Sequence, residues 1–194
     1  TSEAVLAGFT ITGGYGTVNL LFGEEIVGGA GIYCKNASPI IKRNVIANNY
    51  SALSTGDTLS ECYGGAIACI ECEALITNNI IRNNTSFAGA GIMTYPFSDP
   101  ATETGQIGHP IISNNLIYNN SAQIGGGVVL LHNGQLINNT IVGNDSSYGG
   151  DGNGFAGNIY AASMSELDRC MIVNNIVCNA KSGGGIFSAG STED

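Results

Sequence analysis

NNIIRNN at 78–84 and NNLIYNN at 114–120 are one phrase written twice: an Asn doublet, two apolar residues, a variable residue and a second Asn doublet. Outward from these two, the phrase returns as RNVIANN at 43–49 and GFTITGG at 8–14, then as NNTIVGN at 138–144 and NNIVCNA at 174–180. Successive copies start 35, 35, 36, 24 and 36 residues apart. A second phrase lies between them: GGAGIY at 28–33, GGAIAC at 64–69, GAGIMT at 89–94, GGGVVL at 125–130, AGNIYA at 156–161 and GGGIFS at 183–188. Two phrases recurring in step define a repeat architecture, in which each repeat buries its apolar face only against its neighbours.

The shortest step, 24 residues, is the size of an undecorated repeat, and the longer steps carry insertions of 11 or 12 residues. Between turn signals the apolar segments are short and β-branched, such as Pro39-Ile40-Ile41 and Val45-Ile46-Ala47, which makes them strands and not helices. Three such strands with bends between them bring the chain back one strand spacing, about 4.8 Å, above its starting point. The expected fold is therefore all-β: a single right-handed parallel β-helix domain over 1–194, of about five to six coils, with three parallel sheets. A left-handed hexapeptide helix would need a strict six-residue period, and none is present.

Stacked coils turn equivalent residues into columns. Ile32, Ile67, Ile92, Val128, Ile159 and Ile186 form one inward column, and Leu6, Ile41, Ile76, Ile112, Leu136 and Ile172 another. Asn44, Asn79, Asn115, Asn139 and Asn175 form a third, expected to be an internal asparagine ladder that takes the left-handed bend and bonds to the copies above and below.

Composition narrows the function. The net charge of −9, with only six Lys and Arg, repels a phosphate backbone and argues against a nucleic-acid partner. No apolar stretch is long enough for membrane insertion, and no signal peptide opens the chain, so a leader is expected to have been removed or the chain to be a segment of a longer protein. Six cysteines in 194 residues do not make a disulfide-built scaffold.

The opening VLAGFTITGG at 5–14, with the recurring Gly-Gly-x-Ile and Asn-Asn-x-Ile motifs, resembles secreted bacterial right-handed β-helix repeat proteins of the pectate-lyase-like superfamily. The resemblance spans nearly the whole chain and implies an extracellular or cell-surface location. It leaves the activity open, because the superfamily mixes lyases, hydrolases and adhesins. It also implies that a substrate groove would run along the outer face of the Gly-rich strand. The insertions at 15–27, 50–63 and 145–155 would form one wall of that groove, and 95–109 the other.

Strand alternation puts Tyr33, Ala68, Met93, Val129, Tyr160 and Phe187 on that outer face, with Gly31, Ala66, Gly91, Gly127, Asn158 and Gly185 beside them, giving a flat apolar surface. Tyr33, Met93, Tyr160 and Phe187 are the candidate substrate-binding residues, suited to stacking on sugar rings. A lyase would need carboxylates holding Ca²⁺ and a Lys or Arg base. Lys35, Lys42, Arg43, Arg82, Arg169 and Lys181 are scattered through the repeat instead. A glycosidase would draw on loop carboxylates, Asp57, Glu61, Asp99, Glu103, Asp145 and Asp151. The best calcium site is DSSYGGDGNG, with Asp145, Asp151 and Asn153 as ligands, against the plain reading of solvated loop charge. No cofactor is required, and no catalytic residue is assigned.

Cys34 and Cys69 occupy equivalent positions in adjacent coils, where parallel side-chain vectors favour free buried thiols over a bridge. Together with Cys62 and Cys72 they are a zinc candidate, since Cys69-x-x-Cys72 has a metal-ligand spacing. His109 and His132 read as surface or turn residues. The leading expectation is a non-catalytic extracellular module, structural or adhesive, with polysaccharide as a possible ligand class. A polysaccharide lyase or glycoside hydrolase using loop carboxylates is the alternative, and an end-to-end filament subunit, joined to other copies through uncapped coil ends, a third.

Overall fold

The computed structural model describes residues 4–21, 24–51, 62–95, 108–147, 154–163 and 169–190. Three parallel sheets, each of six strands, run the length of the molecule. The first contains Val5–Ala7, Ile40–Lys42, Leu75–Thr77, Ile111–Ser113, Gln135–Ile137 and Met171–Val173. The second contains Thr10–Ile11, Val45–Ala47, Ile80–Arg82, Leu116–Tyr118, Thr140–Val142 and Ile176–Cys178. The third, built on the Gly-rich phrase, contains Ile32–Lys35, Ile67–Ile70, Ile92–Tyr95, Val128–Leu131, Ile159–Ala162 and Ile186–Ala189.

Register follows the sequence columns. Leu6, Ile41, Ile76, Ile112, Leu136 and Ile172 are successive partners. So are Ile32, Ile67, Ile92, Val128, Ile159 and Ile186. The second sheet adds Ile11, Ile46, Ile81, Ile117, Ile141 and Val177. The middle members of all three columns are fully buried and pack as one core. Each contributes about 1.5 to 3 kcal/mol, which no isolated coil could gain. In the last described coil the shielding thins: Ile186 is 52% exposed while its neighbour Ile159 is 0%.

Each corner of the coil is set by a column of left-handed residues. Gly8, Arg43, Asn78, Asn114, Asn138 and Asn174 turn the chain between the first and second sheets, all with φ between 54° and 80°. Gly13, Asn48, Asn83, Asn119, Gly143 and Asn179 turn it after the second sheet. The bend is therefore made by the first Asn of each doublet, and not by the ladder Asn as the sequence suggested. Asn and Gly recur there because they enter this region at least strain.

The second Asn is released to point inward, and it does so at both corners. In the expected ladder, the Nδ2 of Asn44 donates to Asn79 Oδ1 (3.1 Å), Asn79 to Asn115 (3.0 Å), Asn115 to Asn139 (3.0 Å) and Asn139 to Asn175 (3.0 Å). Each Oδ1 also accepts the backbone N–H of the preceding member. A second ladder, not foreseen, links Asn49, Asn84, Asn120 and Asn144 in the same way, with Nδ2 to Oδ1 distances of 2.9, 2.9 and 3.0 Å. Both ladders spend their remaining amide protons on strand carbonyls, for example Asn115 Nδ2 to Ile76 O and Asn84 Nδ2 to Ile46 O. The polar corners of an otherwise apolar interior are thereby satisfied.

The second ladder changes supplier at its end. The residue that should continue it is Ala180, which has no amide. Asn158, in a column otherwise occupied by Gly and Ala, fills the gap. Its Oδ1 accepts from Asn144 N (3.3 Å) and Asn144 Nδ2 (2.9 Å), and its Nδ2 donates to Cys178 O (3.0 Å). This corrects the orientation expected for Gly31, Ala66, Gly91, Gly127, Asn158 and Gly185. A Cβ on Gly91 would meet Ile117 Cγ2 at 3.0 Å and Asn120 Nδ2 at 3.3 Å, and one on Gly127 would meet Ile141 Cγ2 and Asn144 Nδ2 at 3.0 Å. The column faces the corner ladder, and its residues are small because the next coil's backbone carbonyl crowds them first, a Cβ on Gly91 lying 2.3 Å from Gly127 O, with the Ile and Asn side chains close behind.

The insertion at 15–27 is not an open loop. Thr17–Leu21 and Glu24–Gly28 form an antiparallel hairpin, and Glu24–Gly28 pairs in parallel with Cys62–Tyr63, building a three-stranded sheet beside the third sheet.

Candidate functional site

The third-sheet strands alternate in, out, in, out. Their second residues form the outward row Tyr33, Ala68, Met93, Val129, Tyr160 and Phe187, and their fourth residues include Tyr95, Leu131 and Ala162. On the other side, single bridges join Tyr63, Ala88, Ile124 and Phe155 into a column just before the Gly-rich corner. The outward row is thus the floor between two raised walls, and the surface is a groove, not the flat face expected from alternation alone.

Met93 and Val129 lie on the floor, each 2% exposed, packed among Tyr63, Phe87, Tyr95, Ile124, Leu131 and Tyr160. The groove has a volume of about 610 Å³ and reaches from Tyr63 to Ala189 and Gly190. That span crosses four coil spacings, roughly 19 Å at about 4.8 Å each, so it fits an extended ligand. Its described lining is aromatic and aliphatic, with the hydroxyls of Tyr63, Tyr95, Tyr160 and Ser163 as polar points and no charged side chain. A neighbouring hollow of about 330 Å³ shares Ala162, Ser163, Ala189 and Gly190 and brings in Arg169.

Of the four candidate binding residues, the groove brings together Met93 and Tyr160. Tyr160 stacks on Phe187 (centroids 5.3 Å, planes 12° apart), and Phe155 meets Phe187 edge-on at 5.7 Å, so Phe187 supports the rim next to the last strand. Tyr33 stands apart, its ring against Gly28 and its Oη buried with no hydrogen-bond partner among the described residues. Burial foremost, with the nearby Cys72 and Glu71, raises its pKa. The residues missed from sequence are Tyr63, Phe87, Tyr95, Ile124 and Leu131. Tyr63 and Tyr95, whose rings approach to 6.5 Å, sit at the edges of the 50–63 and 95–109 insertions, which was the available signal.

Of the calcium candidates, Asp151 and Asn153 lie outside the described residues, as do Asp57, Glu61, Asp99 and Glu103 of the carboxylate set. Asp145 is described, and its carboxylate closes a turn. Oδ1 accepts Ser147 N–H (3.0 Å) and the Ser182 hydroxyl of the next coil, and Oδ2 accepts Ser147 Oγ (2.9 Å). Partial burial would raise its pKa, but these donors and Lys181 outweigh that and leave it lowered. Among the described residues, no three His, Cys, Asp or Glu side chains are grouped to hold a metal ion. Cys62, part of the zinc candidate, sits at the opposite end of the third-sheet strand from Cys69 and Cys72.

Parallel strands in three stacked sheets, inward aliphatic columns and Asn-lined corners define a β-solenoid of the parallel β-helix class. The sequence profile of the right-handed β-helix region matches residues 7–177, and the chain belongs to that family. Comparison with curated proteins and with solved structures returned no match.

Proposed function

We propose that this β-helix is a non-catalytic, extracellular or cell-surface binding module whose groove takes a neutral polysaccharide chain. The carrying observation is the groove's lining: Tyr63, Tyr95 and Tyr160 with Phe87 over an aliphatic floor, in a hollow open along several coils. Ligand sites of this size combine apolar walls with a few polar points that fix orientation, and aromatic rings with hydroxyl edges present both to a sugar. Neutrality follows from charge. A polyuronate would meet a net charge of −9 and a described lining that offers it no cation, Arg169 standing in the adjoining hollow.

Calorimetric titration with soluble neutral glycans and with polyuronates tests the reading. The expected result is binding of a neutral chain without new reducing ends or unsaturated products. Tyr95→Ala and Tyr160→Ala should each weaken it about fivefold, as the loss of one ring contact of about 1 kcal/mol implies. Polyuronate binding abolished by Arg169→Ala, or turnover of any glycan, would overturn it.

A further inference from the structure

Three cysteines converge inside the coil at the end of the third sheet. Cys34 and Cys69 are in-register neighbours, and Cys72 follows the bend after Cys69. Cys34 is 7% exposed, and Cys69 and Cys72 are 1% each. All three are free thiols, and they pack in the same buried core cluster. The groove reading gives this cluster no role.

We propose that Cys69 and Cys72 are a disulfide-forming pair, oxidised by a small-molecule disulfide, with Cys34 left as a thiol. Geometry selects the pair. Cys34 and Cys69 project in parallel from neighbouring strands about 4.8 Å apart, which holds their Cβ atoms beyond the usual disulfide spacing. Between Cys69 and Cys72 the chain reverses at Glu71, whose φ is +52°, and Cys72 Sγ is folded back to within 3.1 Å of Ile70 O. Two sulfurs on opposite arms of one bend approach from different directions, as a bridge requires.

The two thiols are also differentiated. The Cys69 contact, against the opposing effect of burial and with help from the backbone at Ala37 and Ile70, lowers the pKa of Cys72. Contacts with Cys34 and Cys72, then burial, raise that of Cys69. During folding, while both thiols are still open to solvent, either can start the exchange; written for Cys72, its thiolate attacks first. It displaces one glutathione thiolate from glutathione disulfide and forms a mixed disulfide. Cys69 then gives up its proton to the released thiolate, its sulfur attacks Cys72 Sγ, and the second glutathione leaves and is protonated. Two protein thiols are oxidised and one disulfide is reduced to two thiols. A crevice bordered by Tyr95, Gly108, Pro110 and Leu131 meets the pair but has no room for a water molecule. Gly108 is pressed on the Cys72 backbone, where a Cβ would lie 2.2 Å from Cys72 O. Exchange therefore takes place during folding, before Gly108 and Pro110 close over the bend.

The test is refolding of the full denatured chain in a glutathione redox buffer, followed by alkylation in denaturant and mass spectrometry. The expected product carries two fewer alkylated cysteines than the six of the reduced chain. Digestion with a glutamate-specific protease, which cuts after Glu71, and with chymotrypsin, which cuts after Tyr63, separates Cys62, Cys69 and Cys72, and residues 64–71 staying joined to the Cys72 fragment until reduction place the bond at Cys69–Cys72. Cys34→Ser should keep the bond and Cys72→Ser should lose it. Six alkylatable cysteines in the refolded wild-type chain, or a bond that includes Cys34, would overturn the assignment.

Discussion

Replacing Asn115 by Ala lowers the unfolding free energy by about 3 to 5 kcal/mol, read as a fall in the urea midpoint at unchanged slope. Asn115 sits mid-ladder and is 2% exposed. Its Oδ1 accepts the N–H and Nδ2 of Asn79, and its Nδ2 donates to Ile76 O and Asn139 Oδ1. Truncation leaves a backbone N–H, a side-chain amide and a carbonyl buried with no water to replace the partner. Each such orphan costs about 1 to 3 kcal/mol, and relaxation recovers part of the total. The neighbouring Asn114 gives the contrast. It is exposed at φ +56° and serves only the bend, a task Gly8 performs in the first coil at φ +80°. Asn114→Gly should therefore shift stability by no more than about 0.5 kcal/mol. Equal losses for the two substitutions would mean that the doublet does not divide its work as described.

Asn158→Gly should cost about 2 to 4 kcal/mol, although Gly is native in the same column at 31, 91, 127 and 185. The loss arises at Asn144, whose N–H and Nδ2 lose their acceptor, whereas Cys178 O gives up the Asn158 amide but keeps the Gly143 N–H. Adding Ala180→Asn to Asn158→Gly restores the ladder from the regular column and should recover most of the stability. Ala180→Asn alone crowds two amides into one space and should destabilise by about 1 to 3 kcal/mol. Two changes that are each harmful and together near neutral give a large coupling energy in a double-mutant cycle. Simple addition of the two losses would show that Asn158 and residue 180 do not share a site.

The architecture was legible because a solenoid writes its period directly into the chain. The 24-residue step bounded the coil, and the Ile columns and the Asn44 to Asn175 ladder followed from alignment of copies. What stayed hidden depended on direction within a corner. Nothing in Asn78-Asn79 says which Asn turns the chain and which enters the core, and the same ambiguity concealed the ladder from Asn49 to Asn144. Strict alternation then misoriented the Gly-rich column, because residues next to a corner face the corner and not the sheet normal. The groove was half legible. Met93 and Tyr160 came from the strand pattern, whereas Tyr63 and Tyr95 belong to insertion edges whose course no repeat dictates. Tyr33 fitted the pattern and still fell outside, since the hairpin that ends at Gly28 occupies its end of the sheet.

The claim on which both ladders, the core and the groove depend is that coils stack in register with the second Asn of each doublet turned inward. Side-chain amide hydrogen exchange by NMR reads this residue by residue. The Nδ2 protons of Asn79, Asn84, Asn115, Asn120 and Asn139 should exchange only with global unfolding, while those of Asn114, Asn119 and Asn138 exchange as freely as in an unfolded peptide. Fast exchange at Asn79, Asn115 and Asn120 would contradict the stacked-coil account.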